Sequence, residues 1–456
     1  MSAFDAIVIG TGQAGPALAR RLAGAGWRVA IAERARFGGT CINTGCTPTK
    51  TMLASAYAAH LARRGTEFGV LTGGPVKIDM RRVKARKNEI VGVGRAAVER
   101  SLRETQNVTV LQGHARFVSP REVEVGETRL SSERIFVNVG GRPSIPPIPG
   151  LGQTPYLTSS TILDLDSVPR RLVVIGGGYI GLEFGQMFRR FGAEVTIVET
   201  ASRLIPREDP EIADAMRSIL EAEGIEILLD ASDPTLRADG TAIALSLRLA
   251  GADRIIHGSH LLLGAGRRPN TDDLGTEQAG IALDAHGYVQ VDEQLRTNVP
   301  GIWALGECNG HGAFTHTAYN DSEIVGANLL GGGPRSLHDR IAAYALFTDP
   351  PLGRAGLSEA EARKSGRRVL VGRIAMEDVS RAYEKGETLG MMKIVVDDDS
   401  KEILGAAFLG TSGDEAIHCV LDLMYAKAPY MLLRRAVHIH PTVSEFIPSL
   451  LDGIEG

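Results

Sequence analysis

Two stretches of the chain share one pattern of apolar and polar positions. Residues 6–33 read AIVIGTGQAGPALARRLAGAGWRVAIAE: an apolar run, a glycine-rich turn, a helical segment rich in small residues, and a second apolar run ending in an acid. Residues 172–199 read LVVIGGGYIGLEFGQMFRRFGAEVTIVE and repeat this order. Apolar runs that flank a glycine turn and a helical segment are typical of parallel-sheet units. The pattern predicts an α/β protein with two Rossmann-like domains.

The glycines of the two turns occupy matching positions, and each second apolar run ends in a glutamate. The first glycine of such a turn makes the tight bend, the second lets the backbone approach a pyrophosphate, and the third packs the helix on the sheet. The helix N-terminus faces the phosphates, and the acid accepts hydrogen bonds from ribose hydroxyls. Two repeats in register favour two dinucleotide sites over an α/β core whose turns are merely rich in glycine. The matching residues are Gly10, Gly12, Gly15 and Glu33 in the first unit and Gly176, Gly178, Gly181 and Glu199 in the second.

The two acids indicate which dinucleotides bind. An acid at a ribose position favours a free 2′-hydroxyl, so we expect FAD in one unit and NADH in the other. Arg203 lies four residues after Glu199 and has the charge to accept a 2′-phosphate, which leaves NADPH possible.

Changes of pattern along the chain indicate the domain organisation. A strand runs into a Pro/Gly-rich linker at 135–150, the strand and GRRPN of 260–275 close the second unit, and the composition changes after GGGP at 331–334. There, alternating strands such as MMKIVVD and ILGAAFLG precede an amphipathic helix, as in an α+β domain. The predicted boundaries are 1–147 for the first part of the FAD-binding domain, 148–268 for the NAD(P)H-binding domain, 269–336 for the second, central part of the FAD-binding domain, and 337–456 for the last domain.

Charge and hydropathy exclude several classes of partner. The net charge of the 456-residue chain is −4, which gives no reason to expect a nucleic acid or an anionic membrane, and MRRVKARK at 80–87 is interpreted as a solvated helix face. No apolar run reaches the ~18 residues of a membrane span. The opening MSAFDAIVIG passes at once into a strand pattern, so we expect no signal peptide and a cytoplasmic location.

The segment GGTCINTGCTPTK at 38–50 holds two of the four cysteines, Cys41 and Cys46. The following TPTK predicts a helix start, with Pro48 in the first turn, and a helix N-terminus lowers a thiol pKa that begins near roughly 8.5. In the cytosol, persistent disulfides are usually catalytic. The pattern favours a redox pair and leaves a structural bridge as the alternative. No other cysteine or histidine lies at ligand spacing, so no metal site is predicted.

The chain resembles the flavin-dependent pyridine nucleotide–disulfide oxidoreductases, which include dihydrolipoamide dehydrogenase, glutathione reductase and mercuric reductase. The resemblance covers essentially the whole length. It depends on six motifs that occur in the family's order: GTGQAG, GGTCINTGCTPTK, GGGYIGLE, GAGRRPN, ALGEC and HIHPTVSE. It implies that the last domain is a dimerisation domain, and that electrons pass from NAD(P)H through FAD to a Cys41–Cys46 disulfide and on to an acceptor.

The resemblance also assigns roles to the redox pair and its neighbours. It implies that Cys46 is the thiol beside the flavin and that Cys41 is the interchange thiol that meets the acceptor. Lys50 is the cation beside the flavin, and it is expected to pair with Glu183, because a lone carboxylate in the apolar YIGLEFGQMF helix would be costly to bury.

The motif HIHPTVSE supplies the expected acid–base group. By resemblance His440 is the base and Glu445 orients it, as an acid orients a catalytic histidine in a triad. In the family this histidine reaches the cysteines of the other subunit, so a homodimer is implied.

Further cofactor contacts follow from the same resemblance. Glu307 departs from the family's usual aspartate by one methylene, so its contact with the flavin's ribityl chain is expected to shift while FAD binding is retained. Cys308 and Cys419 have no partner by spacing and are expected to be buried free thiols. The remaining predicted cofactor-binding residues are Gly39, Thr40, Ala115, Gly266 and Thr315.

The acceptor is the least constrained part of the prediction. The sequences GHGAFTHTAYND and TCINTGCTPTKTMLASA are most similar to the mercuric-reductase-like branch of the family. The chain ends SLLDGIEG, without the C-terminal cysteine pair of mercuric reductases, and it keeps the base at His440. We therefore expect a small-molecule disulfide or a thiol-reactive metal ion as acceptor. The alternatives are a dihydrolipoamide dehydrogenase and, from another class, a flavoprotein subunit or scaffold with incidental turnover.

Overall fold

The structure is a computed structural model that describes residues 2–240 and 242–455, and of Asp239 only the backbone. The helices are α1 Ala14–Gly24, α2 Gly39–Asn43, α3 Cys46–Arg64, α4 Met80–Glu104, α5 Tyr179–Phe191, α6 Pro210–Ala222, α7 Thr276–Ala279, α8 Thr315–Leu330, α9 Glu359–Lys364, α10 Ser380–Glu384, α11 Gly413–Tyr425, α12 Met431–Arg434 and α13 Ile447–Asp452. Short 3-10 turns lie at Gly65–Phe68, Leu151–Gln153, Ile162–Asp164, Glu307–Asn309, Leu337–Asp339, Met376–Asp378 and Ser444–Phe446.

The strands are short, as expected for a chain rich in turns. They are β1 Ser2–Ala3, β2 Ala6–Ile9, β3 Val29–Glu33, β4 Val108–Gln112, β5 Ala115–Ser119, β6 Glu122–Val125, β7 Thr128–Ser131, β8 Ile135–Val137, β9 Gly141–Pro143, β10 Leu157–Thr158, β11 Arg171–Ile175, β12 Glu194–Val198, β13 Glu226–Leu228, β14 Ser232–Asp239, β15 Ala242–Leu249, β16 Ala252–Gly258, β17 His260–Leu263, β18 Arg267–Pro269, β19 Ile302–Ala304, β20 Ala343–Leu346, β21 Leu352–Gly356, β22 Val369–Ala375, β23 Met391–Asp397 and β24 Ile403–Leu409.

Two five-stranded parallel sheets confirm the predicted fold class. One has the order β19-β8-β2-β3-β4 and the other has the order β10-β17-β11-β12-β13. In the first sheet, strands β2 and β3 are buried along their whole length, because helices and neighbouring strands cover both faces of a parallel sheet. Small residues of α1 bring this helix close to the sheet, where Ala14, Leu18 and Ala19 are fully buried.

The C-terminal part of the chain forms a five-stranded antiparallel sheet of order β20-β21-β24-β23-β22. The predicted strands MMKIVVD and ILGAAFLG are β23 and β24, and the predicted amphipathic helix is α11. Helices α11 and α13 pack on this sheet and enclose a separate apolar core that includes Phe408 and Ile447. The α+β character predicted after GGGP is therefore present.

A buried cluster of charges joins the second parallel-sheet unit to the C-terminal sheet. Lys393 of β23 is only 1% exposed, and its ammonium contacts carboxylates of Asp209 at 3.4 Å and Glu359 at 2.8 Å. It also donates a hydrogen bond to Glu211 of α6. Burial, the largest single influence, would raise the pKa of Glu211, but the hydrogen bonds from Lys393 and Arg373 and the Lys393 charge together outweigh it and lower this pKa. Lys393, Arg354 and Arg373 thus share the negative charge of three acids at this contact.

Replacing this cation is expected to destabilise the protein strongly. Lys393→Met keeps the length of the side chain but removes the buried cation that three carboxylates share and leaves them only arginine partners, so we expect the free energy of unfolding to fall by about 3–5 kcal/mol. Urea denaturation followed by circular dichroism measures the change. The control is Arg381→Met, because Arg381 pairs with Glu384 on the surface, where an ion pair is worth about 0–1 kcal/mol. Equal losses in the two variants would show that the buried cluster adds no stability.

Candidate redox and dinucleotide site

One cavity of about 1970 Å³ contains most of the predicted site residues in its wall. Both parallel-sheet units and the C-terminal sheet contribute to this wall. The predicted residues that line it are Gly10, Gly12, Glu33, Gly39, Thr40, Cys41, Cys46, Lys50, Ala115, Gly178, Glu183, Gly266, Glu307 and Thr315. The other predicted residues lie elsewhere: Gly15, Gly176, Gly181, Glu199, His440 and Glu445.

The first glycine turn forms one end of the cavity. Gly10 has φ +103°, and a Cβ atom there would lie 2.3 Å from the carbonyl oxygen of Asn138, so only glycine fits. The Asn138 amide oxygen accepts a hydrogen bond from the Gly15 backbone at 2.9 Å, which fixes the helix start. Glu33 accepts hydrogen bonds from the backbone N–H groups of Thr11 at 3.0 Å and Ala35 at 2.8 Å. The turn therefore presents bare backbone and a fixed carboxylate to the cavity, which suits the pyrophosphate and ribose of FAD.

The second glycine turn has the same construction. Gly176 has φ +115°, and a Cβ atom there would lie 2.6 Å from the carbonyl oxygen of Gly264. Glu199 accepts hydrogen bonds from the backbone N–H groups of Gly177 at 2.6 Å and Ala201 at 2.8 Å. A Cβ atom on Gly178 would meet no described atom within 4 Å, so space for a ligand lies beside this turn. These residues fit NAD(P)H.

The side chain of Arg203 is engaged in an ion pair. Its guanidinium Nε lies 3.2 Å from a carboxylate oxygen of Asp214, and both side chains are about half exposed. An arginine that binds a 2′-phosphate would have to leave this pair. A pair between such exposed side chains is worth only about 0–1 kcal/mol, so the preference for NADH over NADPH stays a prediction.

Cys41 and Cys46 are free thiols that share a hydrogen bond. Cys41 lies in the short helix α2, and Cys46 is the first residue of α3, where it is exposed to the cavity. The hydrogen bond from Cys41 is the main cause that lowers the pKa of Cys46 to about 5, and the Thr315 hydroxyl at 3.4 Å and the Lys50 charge add to it. The same hydrogen bond, together with burial, raises the pKa of Cys41. Cys46 is thus a thiolate at neutral pH, and Cys41 is a thiol.

Lys50 and Glu183 lie in contact, as the sequence suggested. The Lys50 ammonium donates hydrogen bonds to both carboxylate oxygens of Glu183, at 2.8 and 2.9 Å. Glu183 also accepts a hydrogen bond from the backbone N–H of Phe347 at 3.0 Å, and the Phe347 ring lies 4.5 Å from the ammonium. Lys50 is one helical turn after Cys46 in α3, so the pair holds a positive charge near the thiolate.

Glu307 has a partner that sequence reasoning missed. Both of its carboxylate oxygens accept hydrogen bonds from Arg267, one of them at 2.8 Å, and the two side chains are mostly buried. Arg267 also donates to the carbonyl oxygen of Gly141 at 2.8 Å. Glu307 is thus paired with a cation on strand β18. The sequence feature that could have indicated this partner is the GRRPN motif, because its first arginine is Arg267.

His440 and Glu445 form a pair that is remote from the cavity wall. The two oxygens of Glu445 lie 2.9 and 3.1 Å from Nδ1 of His440, which leaves Nε2 directed outward. The His440 side chain is 73% exposed. Within one chain, therefore, the structure brings the pair together but does not bring it to the cysteines.

The two remaining cysteines differ in burial. Cys308 is fully buried and donates to backbone carbonyl oxygens, including that of Leu305 at 3.4 Å, as expected. Cys419 is only half-buried, with its sulfur 4.0 Å from the Ser444 hydroxyl, so the prediction of a buried thiol was wrong for this residue. It lies on α11 next to residues that line the cavity. Among the described residues, no group of three or more His, Cys, Asp or Glu side chains is placed to hold a metal ion, and the absence of a resident metal stays a prediction.

The low pKa of Cys46 predicts its reactivity. In the reduced protein, we expect alkylation of Cys46 by iodoacetamide to reach half its maximal rate near pH 5. Cys41→Ala removes the main hydrogen bond to the thiolate, so the midpoint should rise by roughly 1–2 pH units. Cys41→Ser keeps a hydroxyl donor and should shift it less. Peptide mapping by mass spectrometry assigns the modified cysteine, and a midpoint that is the same in all three proteins would contradict the prediction.

Comparison with known proteins gives the same answer as the geometry. Residues 4–322 match the family model described as pyridine nucleotide-disulphide oxidoreductase, and residues 342–450 match its dimerisation domain. The probable pyridine nucleotide-disulfide oxidoreductase RclA of Escherichia coli (strain K12) is 37% identical, with 99% of each chain covered. A mercuric reductase of Bacillus cereus is 30% identical over 96% of this chain and 70% of that protein.

A solved structure extends the likeness to three dimensions. It is the Cu(II) complex of the HOCl-induced flavoprotein disulfide reductase RclA from Escherichia coli, with a TM-score of 0.89, 37% identity and 99% of each chain covered. Within residues 2–240 and 242–455, no helix is both long and apolar enough to cross a bilayer.

Both family models match the chain, and the cavity holds the two glycine turns and the cysteine pair. The chain therefore belongs to the pyridine nucleotide-disulphide oxidoreductase family, whose members use FAD and NAD(P)H.

Proposed function

We propose that this flavoprotein uses NADH to reduce a small disulfide or a thiol-reactive metal ion through Cys41 and Cys46. One observation carries the proposal. The Cys46 thiolate, hydrogen-bonded to the Cys41 thiol, lies at a helix start in the same cavity as both glycine turns. A structural bridge would not require a thiolate with a lowered pKa in a dinucleotide cavity.

The protein groups around the cysteines have separable tasks. FAD, when bound, supplies two-electron transfer between the nicotinamide and the cysteine pair. Cys46, held as a thiolate, is the sulfur assigned to the flavin side, and Lys50 stabilises negative charge there. Cys41 is assigned to the acceptor side.

For a disulfide acceptor, the exchange balances as follows. Cys41 passes its proton to His440 as its sulfur attacks one acceptor sulfur, which breaks the acceptor's S–S bond and forms a mixed disulfide. The Cys46 thiolate then attacks the Cys41 sulfur, which restores the Cys41–Cys46 disulfide and releases the second acceptor sulfur as a thiolate. The acceptor gains two electrons and two protons in total, one proton from Cys41 through His440 and one from water. His440 is assigned to hold and donate the proton that the first leaving thiolate needs.

Two kinds of acceptor have specific support. The His440–Glu445 pair favours a disulfide or dihydrolipoamide, because a departing thiolate requires a proton and a metal ion does not. A metal ion is favoured by the relatives, since one is named a mercuric reductase and another was solved as a Cu(II) complex. A metal ion would be a substrate that takes two electrons from the cysteine pair, which oxidises to the disulfide; Cys41 loses its proton, and Cys46 is already a thiolate.

We further propose a homodimer in which His440 of one subunit serves the cysteines of the other. The support is the match of residues 342–450 to a dimerisation domain, and the exposure of His440 away from the cavity of its own chain. Apolar side chains beside it, Val437 at 100% and Ile439 at 79% exposure, favour a covered surface here. The domain boundaries at 147, 268 and 336 and the cytoplasmic location stay predictions.

An acceptor screen tests the function. NADH and NADPH consumption is measured without oxygen against lipoamide, glutathione disulfide, Cu(II), Hg(II) and a quinone. We expect NADH to be preferred, and we expect Cys41→Ser to abolish reduction of the physiological acceptor class while flavin reduction by NADH persists. Cys308→Ser is the matched control, because this thiol is buried outside the exchange pair. Full acceptor turnover in Cys41→Ser would refute the proposed route, and slow turnover with every acceptor would favour the scaffold alternative.

Subunit complementation tests the shared site. His440→Ala should slow disulfide turnover by roughly 10²–10⁴-fold and leave flavin reduction unchanged. Cys41→Ser and His440→Ala homodimers are then unfolded, mixed and refolded. If the site uses the histidine of the other subunit, each mixed dimer holds one intact site and one doubly altered site, so activity returns to about half of the wild-type value in that fraction. No recovery in purified mixed dimers would place both residues in one chain.

A further inference from the structure

Glu208 is a fully buried carboxylate at a junction of domains, and the reaction described above gives it no role. Its Oε1 accepts hydrogen bonds from two phenols, the Tyr179 hydroxyl at 2.8 Å and the Tyr344 hydroxyl at 2.6 Å. Its Oε2 has no hydrogen-bond partner among the described atoms and faces the Arg354 guanidinium at 3.7 Å. The side chain is 0% exposed.

A buried charge of this kind is costly unless hydrogen bonds compensate it. Hydrogen bonds to a carboxylate are roughly twice as strong as neutral ones, so two phenols on one oxygen define the positions of both rings. Burial and the charge of Glu208 raise the pKa of Tyr179 and of Tyr344, so both hydroxyls remain protonated and donate. Glu208 thus fixes an aromatic pair whose ring centroids lie 5.4 Å apart.

The Tyr179 ring lies on the route between the NAD(P)H turn and the redox centre. Tyr179 is the first residue of α5, directly after the GGG turn, and Glu183 lies one helical turn further on the same helix. Both side chains line the cavity, and Glu183 binds Lys50. A nicotinamide whose diphosphate lies at the glycine turn must therefore pass against the Tyr179 ring to approach the cysteine-bearing helix.

The second tyrosine connects this position to the other wall. Tyr344, on β20 of the C-terminal sheet, stacks on Phe314 with ring centroids 5.4 Å apart. Phe314 precedes Thr315, whose hydroxyl contacts Cys46 at 3.4 Å. The carboxylate of Glu208 therefore sets the width of the cavity between the second parallel-sheet unit and the C-terminal sheet.

We propose that Glu208 is a positioning residue for the reductive half-reaction: by holding the Tyr179 and Tyr344 hydroxyls, it keeps the Tyr179 ring where it orients the nicotinamide for hydride transfer. The neighbouring acids Asp209 and Glu211 already bind Lys393 and hold the domain contact. Glu208 instead accepts hydrogen bonds from two tyrosines that line the cavity. The role is independent of the acceptor, because it concerns only the entry of electrons from NADH.

Half-reaction kinetics test the proposal. In Glu208→Gln, the neutral amide oxygen accepts weaker hydrogen bonds from the two phenols, and the NH₂ group meets the Arg354 guanidinium, which is also a donor, so the Tyr179 ring is held less firmly. We expect the limiting rate of flavin reduction by NADH, measured by anaerobic stopped flow, to fall roughly 10–10²-fold, with the NADH dissociation constant changed less than about threefold. Re-oxidation by the acceptor should be unchanged. An unchanged or faster reduction rate would overturn the proposal.

Two further variants separate positioning from general stability. Tyr179→Phe removes one oxygen atom and the same hydrogen bond, so it should reproduce the loss, and the double variant should be no slower than Glu208→Gln alone. Glu211→Gln is the matched control, because it weakens the same domain contact without touching either tyrosine. An equal loss in Glu211→Gln would show that Glu208 only holds the domains together.

A crystal structure of Glu208→Gln gives a readout that does not depend on activity. We expect the Tyr179 ring to leave its position or to occupy more than one orientation, while the Lys50–Glu183 pair stays in place. If the ring remains fixed and the reduction rate still falls, Glu208 acts by another route and the proposal is wrong.

Discussion

The ion pair between Lys50 and Glu183 is the contact on which the arrangement of the site depends. It joins two helices that start at different functional points, α3 at Cys46 and α5 at the second glycine turn. Glu183 is largely buried, so the carboxylate requires a cation, and Lys50 is the one within reach. Because both helices are rigid, fixing this contact one turn into each of them sets the distance between the dinucleotide turn and the thiolate. The cavity has its shape for this reason.

The position of α3 also determines which sulfur of the cysteine pair carries the negative charge. A hydrogen bond between two thiols can place the charge on either sulfur, and the surroundings decide between them. The Thr315 hydroxyl and the Lys50 ammonium act to lower the pKa of both thiols, so the feature that distinguishes Cys46 is its position at the N-terminus of α3, which favours a thiolate. Cys41 donates the hydrogen bond and keeps its proton. The assignment of Cys46 to the flavin side and Cys41 to the acceptor side, proposed from the motif, therefore has an electrostatic cause.

What the sequence predicted well has a local cause, and what it missed depends on tertiary contacts. Turn geometry dictates Gly10 and Gly176, so the two units were readable from spacing alone, and the helix start at Cys46 was readable from TPTK. The partners of Glu307 and Glu208 were not, because Arg267, Tyr179 and Tyr344 lie far from them along the chain, at separations that no local pattern encodes. The half-exposed Cys419 was missed for a related reason, since α11 presents one side to the cavity and therefore is not buried on every face.

The two half-reactions use different surfaces of the protein. On our proposals, electrons from NADH enter past Tyr179, where buried charges join the second parallel-sheet unit to the C-terminal sheet. The acceptor, on our proposal, meets Cys41 on the side that the second subunit completes with His440. Electron transfer from NADH thus depends on contacts within one chain, whereas electron transfer to the acceptor requires a dimer. A monomeric form would therefore accept electrons from NADH and fail to pass them to a disulfide, because it has the thiolate but lacks the proton donor.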